Sequence, residues 1–474
     1  MKNEIKIFKQ TKIVATIGPA TETEEILTKL VHAGLDVTRF NMSHGTHEEH
    51  LKRFHTVRAV SKKLGKQVAI LQDLSGPKIR IGEFSTPTIE LIPGETFTIT
   101  TDEIVGDESH VSVNYKKLPQ ELKKGSIILL DDGKKKLEVV DITKTDVICL
   151  VLVGGTTKGR RGMNLPGAYL SVPSITEKDR TDVVFGVENK ADFIALSFVR
   201  KASDIHELRT ILKELKSDAQ IVAKIETEEA IENIDEIIEV SDVIMVARGD
   251  LAIEIGPENV PPLQKKIIEK SRMLGKPVIV ATQMLESMIH SPVPTRAEVS
   301  DIANAIYDGA DAIMLSEETT LGEYPLESVE TMARVAQKTE EECDVNFAIK
   351  NATSVADVVT SSIALSSHVL ETKAIIALTE SGGTARLIAR HRGKKPIFVF
   401  VSDERTANKM ALSYGCVPVI AGHITNLNSA FTMIDSYLIN EQGFSEGDRV
   451  VIAFGMPSGT VGSTNTLHIH TILN

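Results

Sequence analysis

A run of apolar residues ends abruptly in charge at residues 242–250, DVIMVARGD. The run is typical of a strand that is covered on both faces, and Arg248, Gly249 and Asp250 follow it directly. Taken alone, Arg-Gly-Asp suggests a cell-adhesion tripeptide, which belongs at an exposed loop tip. Because this tripeptide is attached to an apolar strand, we interpret it as part of a site on a rigid scaffold, where the glycine lets the backbone approach a ligand closely.

Other strand-like runs also end in polar side chains. Alternate residues of a strand share a face, so the runs 36–44, 220–227 and 242–250 each predict charged residues on one face. The resulting set is Arg39, Asn41, Ser43, Asp73, Lys224, Glu226, Arg248, Asp250, Thr282, Gln283, Ser316 and Glu317. The alternative to a shared site is a solvated polar rim.

Two carboxylates and two cations in this set suggest a specific chemistry. Glu226 and Asp250 end neighbouring strands with no His or Cys nearby, a donor set that suits Mg²⁺ or Mn²⁺. Taken alone, either acid is more often a salt-bridge partner. Lys224 and Arg39 add fixed positive charge, and a divalent ion with Lys and Arg is typical of a phosphoryl-transfer site. The chain has no Gly-x-x-x-x-Gly-Lys-Ser/Thr motif, which excludes the P-loop fold.

Eight strand-like runs must position these residues. They are 13–18, 36–44, 67–74, 193–199, 220–227, 242–250, 277–285 and 312–319. Helix-like segments separate most of them, such as 23–35 and 259–275, each ending at a glycine. Alternating strands and helices predict an α/β fold, a (β/α)₈ TIM barrel with its site at the carboxyl ends of the strands. An open doubly wound sheet is the alternative.

One connection is too long for a loop. More than 110 residues separate the third and fourth runs, and they contain short β-like runs punctuated by turn residues. We therefore expect an inserted all-β domain that stands over the barrel mouth as a lid. The predicted domains are a barrel at 1–81 and 168–345, an inserted β-barrel lid domain at 82–167 and a C-terminal α/β regulatory domain at 346–474.

Composition limits the classes of partner. The net charge of −12 argues against nucleic acid, and the absence of Trp disfavours a base-stacking surface. No apolar stretch reaches 18 residues, so we expect no membrane span. The three cysteines lack metal-ligand spacing, and the first residues lack an apolar signal segment; both features favour a cytoplasmic protein.

Long motifs along the chain closely resemble the pyruvate kinase family. They are TRFNMSHG (38–45), DLSGPKIR (73–80), GMNLPG (162–167), AKIET (223–227), MVARGDLAIEIG (245–256), residues 281–319 and GEYPLE (322–327). The resemblance implies a barrel, a lid inserted after the third strand and a C-terminal α/β domain. It also implies transfer of the phosphoryl group of phosphoenolpyruvate to ADP, giving ATP and pyruvate, the final step of glycolysis.

The resemblance also assigns roles to residues. It implies that Lys224 stabilises the transferring phosphoryl group, and that Thr282 lies beside the enolate carbon and helps deliver a proton. The implied substrate contacts are Arg39, Arg248, Gly249, Asp250 and Thr282, the Mg²⁺ ligands Glu226 and Asp250, the nucleotide contacts Arg80 and Arg161, and the K⁺ site Asn41, Ser43, Asp73 and the carbonyl of Leu74.

Two positions near the mouth depart from the family pattern. Members that require K⁺ usually carry Glu at the position of Lys78, and a lysine ammonium could replace the charge of the ion. We therefore expect activity without K⁺; the alternative is that Lys78 is a solvated rim residue and K⁺ still binds. Arg161 stands where Lys is common, which changes the hydrogen-bond geometry toward nucleotide.

The predicted effector loop departs from the pattern as well. Its hydroxyls and glycines, Thr379, Ser381, Gly382, Gly383 and Thr384, precede a helix and resemble an anion nest. Glu380 and Gly383 replace basic residues, which weakens the case for fructose 1,6-bisphosphate and leaves a monophosphate or AMP. An unregulated enzyme is the alternative. The family also implies a homotetramer.

Two rival functions remain at this stage. Another Mg²⁺-dependent barrel, such as a carbon–carbon lyase, would share Glu226 and Asp250 but has no use for a lid or for a nucleotide-facing Arg80. A phosphate-sensing or adhesive protein would bind phosphoenolpyruvate without turnover.

Overall fold

The computed structural model describes residues 9–343, 354–424, 426–457 and 464–473. Eight parallel strands close into a barrel in the order β1-β16-β15-β14-β13-β12-β3-β2. They are β1 (Lys12–Thr16), β2 (Val37–Asn41), β3 (Ala69–Asp73), β12 (Phe193–Leu196), β13 (Gln220–Ile225), β14 (Val243–Ala247), β15 (Val278–Ala281) and β16 (Ala312–Leu315). The predicted TIM barrel is confirmed, and the open sheet is excluded.

Helices surround the barrel and bury its outer face. They are α1 (Glu24–Ala33), α2 (His47–Leu64), α4 (Glu177–Glu188), α5 (Ala202–Glu214), α6 (Glu228–Glu232), α7 (Ile234–Val240), α8 (Arg248–Ile255), α9 (Val260–Met273), α10 (Arg296–Asp308), α11 (Glu317–Thr320) and α12 (Pro325–Glu342), with 3₁₀ turns at Pro257–Asn259 and Glu286–Ile289. Aliphatic side chains between this layer and the strands form the largest core cluster. A second apolar cluster fills the barrel interior, and Leu412 of the C-terminal unit belongs to it.

The helix boundaries follow local signals. Thr23 caps α1 by accepting a hydrogen bond from the Ile26 amide, and Gly34 ends the helix with a φ of 119°. Thr46 and Glu49 form a capping box at the start of α2, and Gly65 ends that helix in the left-handed conformation. These caps fix where each helix returns the chain to the next strand.

The insertion between β3 and β12 is built mostly of strands. A six-stranded sheet in the order β11-β7-β8-β9-β5-β6 stands beside a two-stranded ribbon, β10-β4. The elements are β4 (Ile89–Leu91), β5 (Thr96–Thr100), β6 (His110–Ser112), α3 (Leu118–Glu121), β7 (Ile127–Leu130), β8 (Lys135–Ile142), β9 (Asp146–Val153), β10 (Gly155–Thr157) and β11 (Met163–Asn164). This unit has its own apolar core, as an inserted domain requires.

The C-terminal unit is an α/β sheet in the order β19-β18-β17-β20-β21. Its elements are α13 (Val355–Val369), β17 (Ala374–Leu378), α14 (Gly383–Ala389), β18 (Ile397–Val401), α15 (Glu404–Met410), β19 (Cys416–Ile420), α16 (Leu427–Gln442), β20 (Arg449–Gly455) and β21 (Thr464–Thr471). The sequence predicts strand-like runs at 374–381, 396–403, 416–422 and 449–457, which correspond to β17–β20. Strand β21, which pairs antiparallel with β20, was not predicted. Within the described ranges, no helix has both the length and the apolar character needed to cross a membrane.

Several predicted strands end earlier than expected. Strand β14 ends at Ala247, so Arg248 and Asp250 lie on α8 and not on one face of a strand as predicted. Ser43 likewise follows β2 in a turn. The prediction of shared strand faces was wrong for these residues. After β14 and after β2 the chain turns away from the sheet, because the pairing with the neighbouring strand ends there.

Candidate active site

A buried lysine connects three strands at the barrel mouth. The Nζ of Lys224 lies 2.7 Å from Ser197 Oγ, 3.2 Å from Asp73 Oδ1 and 3.0 Å from Glu226 Oε1. Burial alone would lower the pKa of Lys224, but Asp73 and Glu226 outweigh it and raise the pKa to about 12. The ammonium therefore stays charged throughout the physiological pH range, which is what stabilisation of a phosphoryl group requires.

Arg39 lies beside the same carboxylate. Its Nε and Nη2 each donate to Asp73 Oδ2 at 2.7 Å, and its Nη1 donates to Thr16 Oγ1 at 2.9 Å. Burial would raise the pKa of Asp73, but Lys224 and Arg39 outweigh burial and hold it below its usual value. The acid thus orients both cations at the mouth while remaining ionised.

Glu226 and Asp250 bring excess negative charge to this cluster. The Oε2 of Glu226 accepts a hydrogen bond of 2.7 Å from the Phe198 amide. Burial raises the pKa of Glu226, and repulsion from Asp250 raises it further, despite the attraction of Lys224. A divalent cation between the two acids would remove this repulsion, and two hard oxygen donors suit Mg²⁺, with water and substrate oxygens completing its shell. The described residues contain no cluster of three or more metal-binding side chains.

The side chain of Arg248 lies against the loop that follows β15. Its Nη2 donates to the Thr282 carbonyl at 2.6 Å, its Nε donates to the Ala281 carbonyl at 3.2 Å, and its Nη1 pairs with Asp301 Oδ1 at 2.7 Å. These contacts fasten the end of β15 to the start of α8. The guanidinium is therefore placed to hold Thr282 in position.

Thr282 adopts a backbone conformation that is rare for a β-branched residue. Its φ is 72°, and Gln283 follows with a φ of 56°. The Thr282 Oγ1 accepts from the Gly249 amide at 2.8 Å and donates to the Ala281 carbonyl at 2.6 Å. A Cβ at Gly249 would lie 3.6 Å from this hydroxyl, an ordinary contact, so protein packing alone does not require glycine there.

The predicted K⁺ ligands lie together at the carboxyl ends of β2 and β3. Asn41 and Asp73 are partners in the strand register, and Asn41 Oδ1 accepts a hydrogen bond of 3.1 Å from the Ser43 amide. The Leu74 carbonyl accepts from Ser197 Oγ at 2.7 Å. These four residues thus follow or end adjacent strands on one side of the mouth.

Lys78, Arg80 and Arg161 lie where the lid joins the barrel. Lys78 is exposed, its stem lies against Gly162, and its ammonium forms no ion pair with any residue described. Arg80 Nη1 donates to the Arg160 carbonyl at 3.1 Å, and Arg161 Nε lies 3.3 Å from Asp131 Oδ1. Both arginines therefore stay on the lid side of the mouth.

The lid touches the barrel through α8. Asn164 Nδ2 donates to Glu254 Oε1 at 3.4 Å, and a Cβ at Gly133 would lie 3.7 Å from Ile253. Burial raises the pKa of Glu254 to about 7. A cavity of about 90 Å³ lies between Leu165 of the lid and Thr227 of the barrel, where the two domains meet.

The predicted effector loop lies far along the chain, in the C-terminal unit. Thr379 Oγ1 accepts from the Gly382 amide at 3.1 Å, and Gly382 has a φ of 80°. Thr384 Oγ1 lies 2.5 Å from Thr464 Oγ1, so one hydroxyl of the loop already forms a hydrogen bond within the protein. Ser381 is exposed, and Gly383 begins α14.

Sequence reasoning missed two residues of the site. Ser197 contacts Lys224, Asp73 and the Leu74 carbonyl, and Thr16 contacts Arg39. Ser197 follows β12 directly, so the rule applied to the other strand ends would have found it. Thr16 ends β1 and carries the same signal.

Comparisons with known proteins agree with this geometry. The family model for the pyruvate kinase barrel domain matches residues 8–329, and that for the pyruvate kinase alpha/beta domain matches residues 357–470. A pyruvate kinase of Staphylococcus aureus is 44% identical over 472 residues, 98% of this chain and 81% of that protein. The enzyme of another strain of that species is 45% identical over the same shares.

A solved structure shows the same fold. The crystal structure of a pyruvate kinase from Cryptosporidium parvum superposes with a TM-score of 0.93 at 36% identity, over 98% of this chain and 96% of that one. Since the family models together span most of the chain and the relatives align over nearly all of it, this chain belongs to the pyruvate kinase family.

Proposed function

We propose that the chain catalyses Mg²⁺-dependent phosphoryl transfer from phosphoenolpyruvate to ADP, giving pyruvate and ATP as the final step of glycolysis. The observation that carries this proposal is the position of Lys224, fully charged between Asp73 and Glu226 with Asp250 beside them. Family membership supports the reaction class. A lyase or a non-catalytic phosphate sensor has no comparable support.

Lys224 and Arg39 are the proposed phosphoryl contacts. Asp73 orients both cations through oxygens on opposite sides of its carboxylate, so neither has to rearrange as charge develops on the transferring group. Bound between Glu226 and Asp250, Mg²⁺ or Mn²⁺ would supply further positive charge to the phosphoryl oxygens. The contribution of the protein is fixed positive charge in a site shielded from water.

Thr282 is the proposed residue beside the enolate carbon, and Gly249 leaves the space for substrate. The Thr282 hydroxyl already accepts one hydrogen bond and donates another, so it is held at a single orientation. We propose that Arg248 acts through Thr282 by fixing its backbone, and that the Thr282 hydroxyl, whose own hydrogen is donated to the Ala281 carbonyl, helps deliver to the enolate a proton supplied by solvent.

The nucleotide and the monovalent ion are assigned by position. Arg80 and Arg161 are the proposed ADP and ATP phosphate contacts, because both stand at the lid edge of the mouth. We propose that the ammonium of Lys78, which lacks an ion-pair partner among the described residues, removes the requirement for K⁺ at Asn41, Ser43, Asp73 and Leu74.

The remaining assignments follow from the family and the sequence. We propose a barrel at 1–81 and 168–345, a lid at 82–167 and a regulatory unit at 346–474. We further propose a cytoplasmic homotetramer, with a phosphorylated effector bound at Thr379, Ser381, Gly382, Gly383 and Thr384.

The test is pyruvate formation from phosphoenolpyruvate and ADP with Mg²⁺, in K⁺-free buffer and again with KCl. Equal turnover in both supports the reaction and the role of Lys78. Turnover only with KCl retains the reaction and contradicts the role of Lys78. No turnover in either buffer contradicts the proposed function.

A further inference from the structure

A second cluster of charge lies at the opposite end of the barrel, where it meets the C-terminal unit. We define the arginine cleft by its charged lining residues, Arg272, Lys276, Asp311, Arg386, Arg390 and Arg392. Lys276 and Asp311 lie just before β15 and β16, at the amino ends of the strands. The cleft is therefore remote from the carboxyl ends, where the proposed active site lies.

The cations of the arginine cleft outnumber its acids. Arg392 pairs with Asp311 at 2.6 Å, and Arg390 pairs at 2.7 Å with Asp357, which lies beyond the cleft. Lys276 donates to two backbone carbonyls, of Glu239 and Ser241. The guanidinium of Arg272 forms no hydrogen bond or ion pair with any residue that the structure describes.

Two further observations favour an anionic ligand here. Burial lowers the pKa of Arg272, Lys276 and Arg386, and the charge of Arg392 lowers that of Arg272 further, which nearby carboxylates offset only in part. Arg390 is 8% exposed, yet its buried Nε has no hydrogen-bond partner among the described residues. An unsatisfied buried donor on a cation is costly, and an anion would satisfy it.

We propose that the arginine cleft binds a tetrahedral oxyanion, the phosphoryl group of a small ligand or free phosphate, with Arg272 as the principal donor. The cleft volume of about 10 Å³ admits about one anion oxygen and leaves the remainder of the ligand outside. Arginine suits this role because its planar donors match phosphate oxygens in pairs.

Binding here would act on both units that line the cleft. Arg386 Nη2 donates to the Ser381 carbonyl at 2.8 Å, within the predicted effector loop. With its amide oxygen facing Arg386, Gln220 at the start of β13 accepts from Nη1 at 2.9 Å. An anion beside Arg386 therefore touches a residue that joins the effector loop to a barrel strand.

The test compares the full chain with Arg272→Gln in thermal unfolding as sulfate replaces chloride at constant ionic strength. A bound anion stabilises the folded chain by RT ln(1 + [sulfate]/Kd), which curves logarithmically, whereas the general effect of sulfate adds a linear rise, so the Kd fitted to the logarithmic part is the readout. We expect a logarithmic rise whose fitted Kd increases about 10-fold in Arg272→Gln, the effect of one lost charge-assisted hydrogen bond. Without sulfate, Arg272→Gln should unfold at the same or a higher temperature, because an unpaired cation is removed.

Two variants control for charge and for fold. Arg449→Gln removes an exposed arginine outside the cleft and should leave the fitted Kd unchanged. Arg272→Lys keeps the charge and should recover most of the binding. In crystals soaked with selenate, a sulfate analogue, an anomalous peak should lie beside Arg272 and Arg390. Competition by glycerol 3-phosphate would identify a phosphomonoester as the source of the anion, and competition by phosphate alone would identify free phosphate.

Three results would overturn the proposal. The first is a Tm rise in the unmodified chain that is linear in sulfate, with no logarithmic part. The second is an unchanged fitted Kd in Arg272→Gln, which would place the anion elsewhere. The third is selenate at the barrel mouth or the effector loop with none in the cleft. None of these results depends on catalytic turnover.

Discussion

Two clusters of buried charge lie at opposite ends of the same barrel, and they are unbalanced in opposite directions. In the cluster around Lys224 at the mouth, two cations, Lys224 and Arg39, face three acids, Asp73, Glu226 and Asp250. At the base, five cations line the arginine cleft with Asp311 alone. The sign of the excess charge indicates the ligand that each end lacks, a cation at the mouth and an anion at the base.

The largest effect should come from removing the central cation of the mouth. Lys224→Met is expected to lower kcat by about 10²–10³, because it removes charge directed at the transition state. Phosphoenolpyruvate binding, measured by fluorescence or calorimetry, should change far less. Lys224→Arg keeps the charge and should recover part of the loss. An unchanged kcat in Lys224→Met would remove Lys224 from the proposed mechanism.

The acidic excess is tested by removing one carboxylate. Asp250→Asn should raise the Mg²⁺ concentration for half-maximal rate by at least about 10- to 100-fold, since even outer-sphere partners of a metal have effects of this size. Glu254→Gln, on the same helix α8, is the matched control and should keep the original Mg²⁺ requirement. Equal shifts in both variants would mean that α8 as a whole, and not the Asp250 carboxylate, determines the metal requirement.

Arg248 differs from the other cations of the mouth because its partners are carbonyls and Asp301. Arg248→Lys cannot reach the Ala281 and Thr282 carbonyls together, so kcat should fall about 10-fold through Thr282. The Mg²⁺ requirement should stay the same. Because misfolding would also lower kcat, circular dichroism should confirm that Arg248→Lys is folded. The Mg²⁺ titration is repeated on the same sample. A rise in KM for phosphoenolpyruvate at constant kcat would instead indicate direct substrate contact.

The smallest effect at the mouth should come from its exposed cation. Lys78→Glu is expected to lower the rate in K⁺-free buffer about five-fold, in line with the weak influence of an exposed charge, and KCl should restore it. Steady-state rates with and without KCl measure the effect. Lys78→Gln separates loss of the cation from gain of the anion. Indifference of Lys78→Glu to KCl would show that the ion site is unconnected to residue 78.

The sequence predicts the barrel well, because parallel strands covered on both faces appear as apolar runs. All eight runs overlap a barrel strand, and helices follow from caps such as Thr23 and Gly34. Strand β21 was missed because it has only two apolar residues, Leu467 and Ile469, and its buried positions are the polar Thr464 and His470.

The candidate site was predictable only in part. Lys224, Glu226 and Asp250 carry the strand-end signal, but the positive φ of Thr282 leaves no trace in composition. The hydrogen bonds of Ser197 depend on which residues of neighbouring strands lie side by side. The alternation of residues along a single strand does not determine that register. The arginine cleft was not foreseen, because Arg272 and Arg386 meet only when the C-terminal unit packs against the base of the barrel.

The insertion of the lid between β3 and β12 has a consequence for the order in which the chain folds. These strands are hydrogen-bonded neighbours, Leu71 with Phe193, although more than 110 residues separate them. Closing so long a connection costs conformational entropy, and a lid that folds first shortens it, since the Arg80–Gly162 bridge brings its two ends together. We therefore expect the lid to fold first and to hold β3 and β12 close together while they pair and close the barrel.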